Sequence, residues 1–143
     1  MKLRLLLVLF MTSFIFKAQE VTHIDFDDNN PNIVFNSWNT SSTFAKVSNP
    51  LSDVTNPSAF VGQFTAGDNN DIGIGVIDPT TIFTSPFNLE SNSIFKMKVF
   101  STEEIDVIFH LENSPDWGNF IEVSDSVESS DLNQWVELTF DFS

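Results

Sequence analysis

The residues of this chain with types and spacing suited to chemistry fall into three groups. Trp117 stands in a Pro115-Asp116-Trp117-Gly118 stretch, just after His110, Glu112 and Asn113. Trp38 stands in a second polar setting, flanked by Asn36-Ser37 and Asn39-Thr40. An aromatic face beside amide and carboxylate groups suits a sugar ring, whose C–H face stacks while its hydroxyls take hydrogen bonds. The alternative for each Trp is a ring folded back over the end of the fold. The third group is Asp25, Asp27 and Asp28. Hard carboxylate oxygens this close could form part of a Ca²⁺ shell, and the alternative is an acidic strand end facing water.

Other motifs fail on inspection. Asp68-Asn-Asn-Asp-Ile-Gly73 starts like an EF-hand loop, but Ile72 occupies its fifth position and Pro79 its twelfth. Gly73-Ile-Gly75 lacks the third glycine and the helix of a dinucleotide loop. No G-x-S-x-G or H-E-x-x-H occurs. Among 20 acidic residues carboxylate pairs abound, and nothing in the spacing selects one for glycoside hydrolysis. The expectation is a segment without catalysis of its own.

The elements that must position these residues are strands. In Ser93 to Asn113, Phe95, Met97 and Val99 alternate with Lys96 and Lys98, and Ile105, Val107, Phe109 and Leu111 alternate with Asp106, Ile108, His110 and Glu112. A period of two in such residues gives strands with one buried face. Phe95, Met97, Val99, Val107, Phe109 and Leu111 belong in the core, and His110 and Glu112 look the other way. The short polar Ser101–Glu104 loop suits a hairpin, although the two strands could instead cross between sheets.

Further strands are predicted over Val21–Phe26, Ile33–Trp38, Phe44–Val47, Ala59–Phe64 (Phe60 and Phe64 on one face), Ile72–Ile77, Phe120–Val123 and Trp135–Phe142. Asn113 to Asn119 reads as a loop carrying Trp117, and Ser124 to Asn133 as a polar connection. Trp135 opens the last strand and is expected to pack. Many short strands with turn residues between them argue for an all-β sandwich, either a jelly roll or a Greek key.

Composition bounds the setting. Met1–Arg4 is basic, Leu5–Phe16 apolar and Lys17–Glu20 closes the segment, so residues 1–19 read as a secretory signal peptide. The apolar run falls short of the roughly 20 residues of a membrane span. Removing it leaves Lys46, Lys96 and Lys98 against 20 acidic residues, a net charge of 3 − 20 = −17. So acidic a surface repels phosphate backbones and anionic lipids, which argues against nucleic-acid and membrane partners. The absence of Cys excludes disulfides, and the remaining part from residue 20 to 143 is large enough to bury one core.

Ile24-Asp-Phe-Asp-Asp28, the Asn49-Pro50 to Phe64 stretch, Phe95-Lys-Met-Lys-Val-Phe-Ser101, Val107-Ile-Phe-His-Leu-Glu-Asn113 and Trp135-Val-Glu-Leu-Thr-Phe-Asp-Phe-Ser143 follow one another in a familiar order. With them the chain resembles the carbohydrate-binding-module-like, galactose-binding-domain-like β-sandwiches of secreted Bacteroidetes proteins, often attached to glycoside hydrolases. The resemblance covers nearly all of residues 22–143. It implies a jelly roll of two antiparallel sheets that binds glycan on one face or at its end loops. It also implies a structural Ca²⁺ with its acidic ligand at Asp27 and Asp25 as fallback. Such modules continue past the last phrase here to a closing strand, so the resemblance implies that residues 20–143 are a C-terminally truncated module.

The expectation is therefore a secreted or cell-surface, non-catalytic polysaccharide-binding module that targets an attached enzyme. Trp117 with His110, Glu112 and Asn113 forms one candidate surface, and Trp38 with Asn36 another. The alternatives are a structural or adhesive spacer, or the accessory part of a glycoside hydrolase.

Overall fold

The computed structural model describes residues 20–22, 24–27, 35–37, 41–67, 73–76, 86–113 and 116–143, of which 36, 37, 76, 113 and 117 are described by backbone alone. The signal-peptide expectation over residues 1–19 lies outside them, as do Trp38 and Asp28. Eight strands follow one another among the described residues: β1 Phe35–Ser37, β2 Thr43–Ser48, β3 Phe60–Thr65, β4 Ile74–Val76, β5 Ile94–Phe100, β6 Ile105–Asn113, β7 Asp116–Val127 and β8 Trp135–Asp141. The fold is all-β, with antiparallel sheets packed against each other as in a β-sandwich. No described helix is long and apolar enough to cross a membrane.

The pairings nest. β1 pairs with β4 around the β2–β3 pair, and β5 pairs with β8 around the β6–β7 pair, every ladder antiparallel. Of the two arrangements the alternation allows for Ser93–Asn113, the structure takes the crossing one. The Ser101–Glu104 link joins β5 to β6, but these strands hydrogen-bond to β8 and β7 respectively. Their apolar faces then meet across the interior instead of side by side.

That interior is built from the alternation. Phe95 and Val99 of β5, Val107, Phe109 and Leu111 of β6, and Val123 of β7 surround the buried Val127, Leu138, Phe140 and Phe142. Phe140 is fully buried. The Phe109 ring sits 5.3 Å from Phe95 and 5.1 Å from Phe140, centroid to centroid, within the range of favourable aromatic pairs. Met97 departs from expectation. It shares a face with its partner Leu138, yet Leu138 joins the buried cluster with Val127 while Met97 remains 38 % exposed.

A second aromatic group holds the N-terminal half. Phe35 of β1 and Phe44 of β2 lie 4.5 Å apart, and Phe26 joins them at 6.1 and 6.0 Å. The rings close over Gly62 of β3, where any side chain would meet them: a Cβ would lie 2.5 Å from Phe44 Cζ and 2.6 Å from Phe26 Cζ. Phe60 and Phe64 share this face, as expected, but Phe60 stays 43 % exposed under the Lys46 ammonium, 4.8 Å from its ring centre.

Three elements differ from the sequence reading. Val21, Thr22 and Ile24–Phe26 form no strand: Asp25 Oδ1 accepts the Asp27 amide at 2.8 Å, and this turn delivers the Phe26 ring to its cluster. The Asn113–Asn119 loop is mostly strand, because β7 begins at Asp116 and so includes Trp117 and Gly118. β7 also runs on through Ser124–Val127, where a polar connection was expected. There its polar residues find partners: Ser126 Oγ donates to Asp106 Oδ1, and Asp125 accepts the Ser126 and Thr139 amides, all at 2.8 Å. Val127 meanwhile turns into the core.

Trp135 ties the halves together. It points away from Val136, Leu138 and Phe140, packs on Phe100 at 5.6 Å, and is buried by the 49–59 loop. Its Nε1–H donates to Leu51 O at 2.7 Å and Asn49 Oδ1 at 3.1 Å. Asn49 Nδ2 in turn donates to Asn56 O and Ser58 O, and Asp53 Oδ1 accepts the Thr55 and Asn56 amides. This closes the loop on itself and satisfies the buried Asn56.

Candidate functional site

The face of the β6–β7 pair that turns from the core carries Asp106, Ile108, His110 and Glu112 on β6. Directly opposite are Ser126, Ser124, Glu122 and Phe120 on β7. Residues facing each other across an antiparallel pair share one side of the sheet, so the register determines the site.

His110 is its centre. Its Nδ1 lies 2.8 Å from Glu122 Oε1 across the ladder, and its Nε2 lies 2.8 Å from Glu112 Oε1, two residues along the same strand. The Phe120 ring stacks on the imidazole, with centroids 4.9 Å apart and planes inclined by 23°. Phe120 nevertheless stays 53 % exposed, and Ile108, farther along the face, 61 %. A neutral imidazole has a single N–H, so donating to both carboxylates requires the imidazolium. Partial burial opposes that charge. The hydrogen bonds and charges of Glu122 and Glu112 outweigh it and raise the His110 pKa above its ordinary value. The result is an aromatic face beside a cation held between two carboxylates.

The structure thus joins two of the sequence candidates, His110 and Glu112, in direct contact. Asn113 ends β6 opposite Asp116, across a register shift at Glu112/Asn113, and Trp117 follows in β7. Both therefore belong to the same hairpin as His110. Asn36 belongs to another pair, facing Gly75 in the β1–β4 ladder. Sequence reasoning missed Glu122 and Phe120. Both lie in the strand predicted over Phe120–Val123, but only the ladder register shows that His110 faces Glu122 and Glu112 faces Phe120.

Asp27 has a definite role. Its Oδ2 accepts the Ala59 amide at 3.0 Å and its Oδ1 the Phe60 amide at 2.7 Å, pinning the N-terminal segment to the start of β3. Asp25 accepts the Asp27 amide. Calcium takes six to eight oxygen ligands. Among the described residues no group of three or more His, Cys, Asp or Glu is placed to hold a metal ion. Asp28, the third carboxylate of that cluster, lies outside the described residues.

On the opposite side of the β5–β8 pair, Lys96 bridges Glu137 at 2.8 Å and Glu20 at 2.7 Å. Hydrogen bonds to Glu137 and then Glu20 raise its pKa. These groups are exposed, and such pairs add little to stability.

Comparison with known proteins gives no match to a family model, a curated protein or a solved structure.

Proposed function

We propose that this chain is a secreted, non-catalytic β-sandwich module of the jelly-roll type that binds polysaccharide and brings an attached enzyme to it. The observation that carries this reading is Phe120, half open to solvent, stacked on His110 and flanked by Glu112 and Glu122. Phe120 offers a ring for the C–H face of a sugar, and the two carboxylates offer acceptors for its hydroxyls. Trp117 and Asn113 belong to the end of the same hairpin. The nesting of β6–β7 inside β5–β8, with the consecutive strands β5 and β6 in different sheets, supports the jelly-roll reading.

Affinity electrophoresis on laminarin, xylan, cellulose and alginate tests the reading. Retardation on at least one glycan is expected, and none on any of them overturns it. One observation favours a structural or adhesive spacer instead: His110 already satisfies an oxygen of each glutamate, so the face is polar-paired without a ligand. That alternative predicts unretarded migration throughout.

A further inference from the structure

We propose that His110 is a proton-operated clasp, which holds Glu112, Glu122 and Phe120 in their binding arrangement when protonated and releases it when the proton leaves. The inference rests on the outer β6–β7 face being the binding face. It follows from geometry. One imidazole meets two carboxylates at 2.8 Å, one through each nitrogen. Glu112 comes from β6 itself and Glu122 from β7, the strand hydrogen-bonded to it. After deprotonation one nitrogen has only a lone pair to offer its carboxylate. Lone pair then faces anion, and that contact must open.

Opening has a consequence for the ring above. Phe120 lies directly opposite Glu112 and stacks on the imidazole. A ring set by the imidazole plane moves when the imidazole turns toward its one remaining carboxylate. The aromatic platform and the orientation of both carboxylates therefore hang on one proton. The raised His110 pKa keeps the clasp closed to higher pH than a free histidine would. Ligand affinity is expected to be high on the acid side and to fall as His110 titrates.

The experiment is an NMR titration of the whole chain over about pH 5 to 9, the span in which histidines titrate. It follows the His110 ring nitrogens and carbons and the Phe120 ring protons. Both nitrogens are expected to carry protons below a midpoint higher than that of free histidine. The Phe120 resonances should move with the same midpoint. Glu112→Gln and Glu122→Gln, nearly isosteric changes on an exposed face, should each lower it. A His110 midpoint at or below the free value, or Phe120 resonances that ignore it, overturns the clasp.

Affinity electrophoresis across the same range, on a glycan that retards the protein, tests the coupling. Retardation should decline with the NMR midpoint in the wild type. His110→Gln should remove that pH dependence. Retardation that stays constant through the midpoint overturns the coupling. Absence of retardation at every pH instead defeats the reading of this face as a binding face, and the NMR titration still decides the clasp.

Discussion

Trp135 donates its indole N–H to the carbonyl of Leu51 at 2.7 Å, a contact between residues 84 positions apart. It joins the start of β8 to the loop between β2 and β3, so the N-terminal half is held on the side of β8 that does not face the Phe140 core. Trp135→Phe keeps an aromatic ring against Phe100 but leaves the Leu51 carbonyl without its donor. Leu51 is 40 % exposed and water can reach its carbonyl, so the loss is that of one hydrogen bond, about 0.5–1.5 kcal/mol. Urea unfolding should show a lower midpoint with an unchanged slope. An unchanged midpoint would mean that the loop stands without the indole.

Gly62 is a second point of tight fit. Its Cα faces the Phe44 and Phe26 rings, and a Cβ there would lie 2.5–2.6 Å from both. The rings cannot simply retreat, because Phe35 packs against both of them. Gly62→Val is expected to destabilise by about 1–3 kcal/mol, the usual cost of overpacking. Thermal melting of this variant beside Gly62→Ala measures it. A variant as stable as the wild type would show that the aromatic group yields freely.

Most strands were legible in the sequence and their partners were not. Alternation at Phe95/Val99 and Val107/Phe109/Leu111 marks two buried faces because side chains on a strand point to opposite sides. The same alternation is satisfied whether β5 and β6 lie side by side or face to face, and only packing decides. β7 was read only at its centre, Phe120–Val123, for a different reason. Its ends, Asp116–Asn119 and Ser124–Ser126, have turn-like composition, yet backbone pairing with β6 and local side-chain hydrogen bonds hold them extended. Half of the site was missed because the β6–β7 register is not written in either strand. His110 and Glu112 are two apart on one strand and are visible as such, whereas Glu122 and Phe120 reach them only through the ladder.

The clasp also makes stability depend on pH in a definite direction. A histidine whose pKa is raised on folding stabilises fully below its unfolded value of about 6.5, and that contribution is lost as pH rises through the folded value. Other groups act in the opposite sense. The Asp141 carboxyl is held low by hydrogen bonds from Ser143, and its contribution disappears as the solution becomes acidic. Comparing the wild type with His110→Gln isolates the histidine. The difference in urea midpoint should be largest near pH 6 and shrink toward pH 9. The glutamates are partly open to solvent, so its maximum should be about 1 kcal/mol or less. A difference that grows with pH would reverse the assignment.

Phe120 is where binding and stability should separate. It is 53 % exposed, stacks only on one face of His110 among its described ring contacts, and belongs to no buried cluster. Truncating it removes little buried area, and surface changes of this kind cost about 0.5 kcal/mol or less. It does remove the one described aromatic platform of the outer face. Phe120→Ala is therefore expected to melt like the wild type and to lose retardation on every glycan that binds. Charge should set which glycans those are. The chain carries a net charge of −14 and the site adds two carboxylates to one histidine, so uronic and sulfated polymers meet repulsion where neutral ones meet acceptors. Laminarin or xylan should retard the protein where alginate at low salt does not. Stronger retardation on alginate would locate binding elsewhere on the surface, as would a Phe120→Ala variant retarded like the wild type.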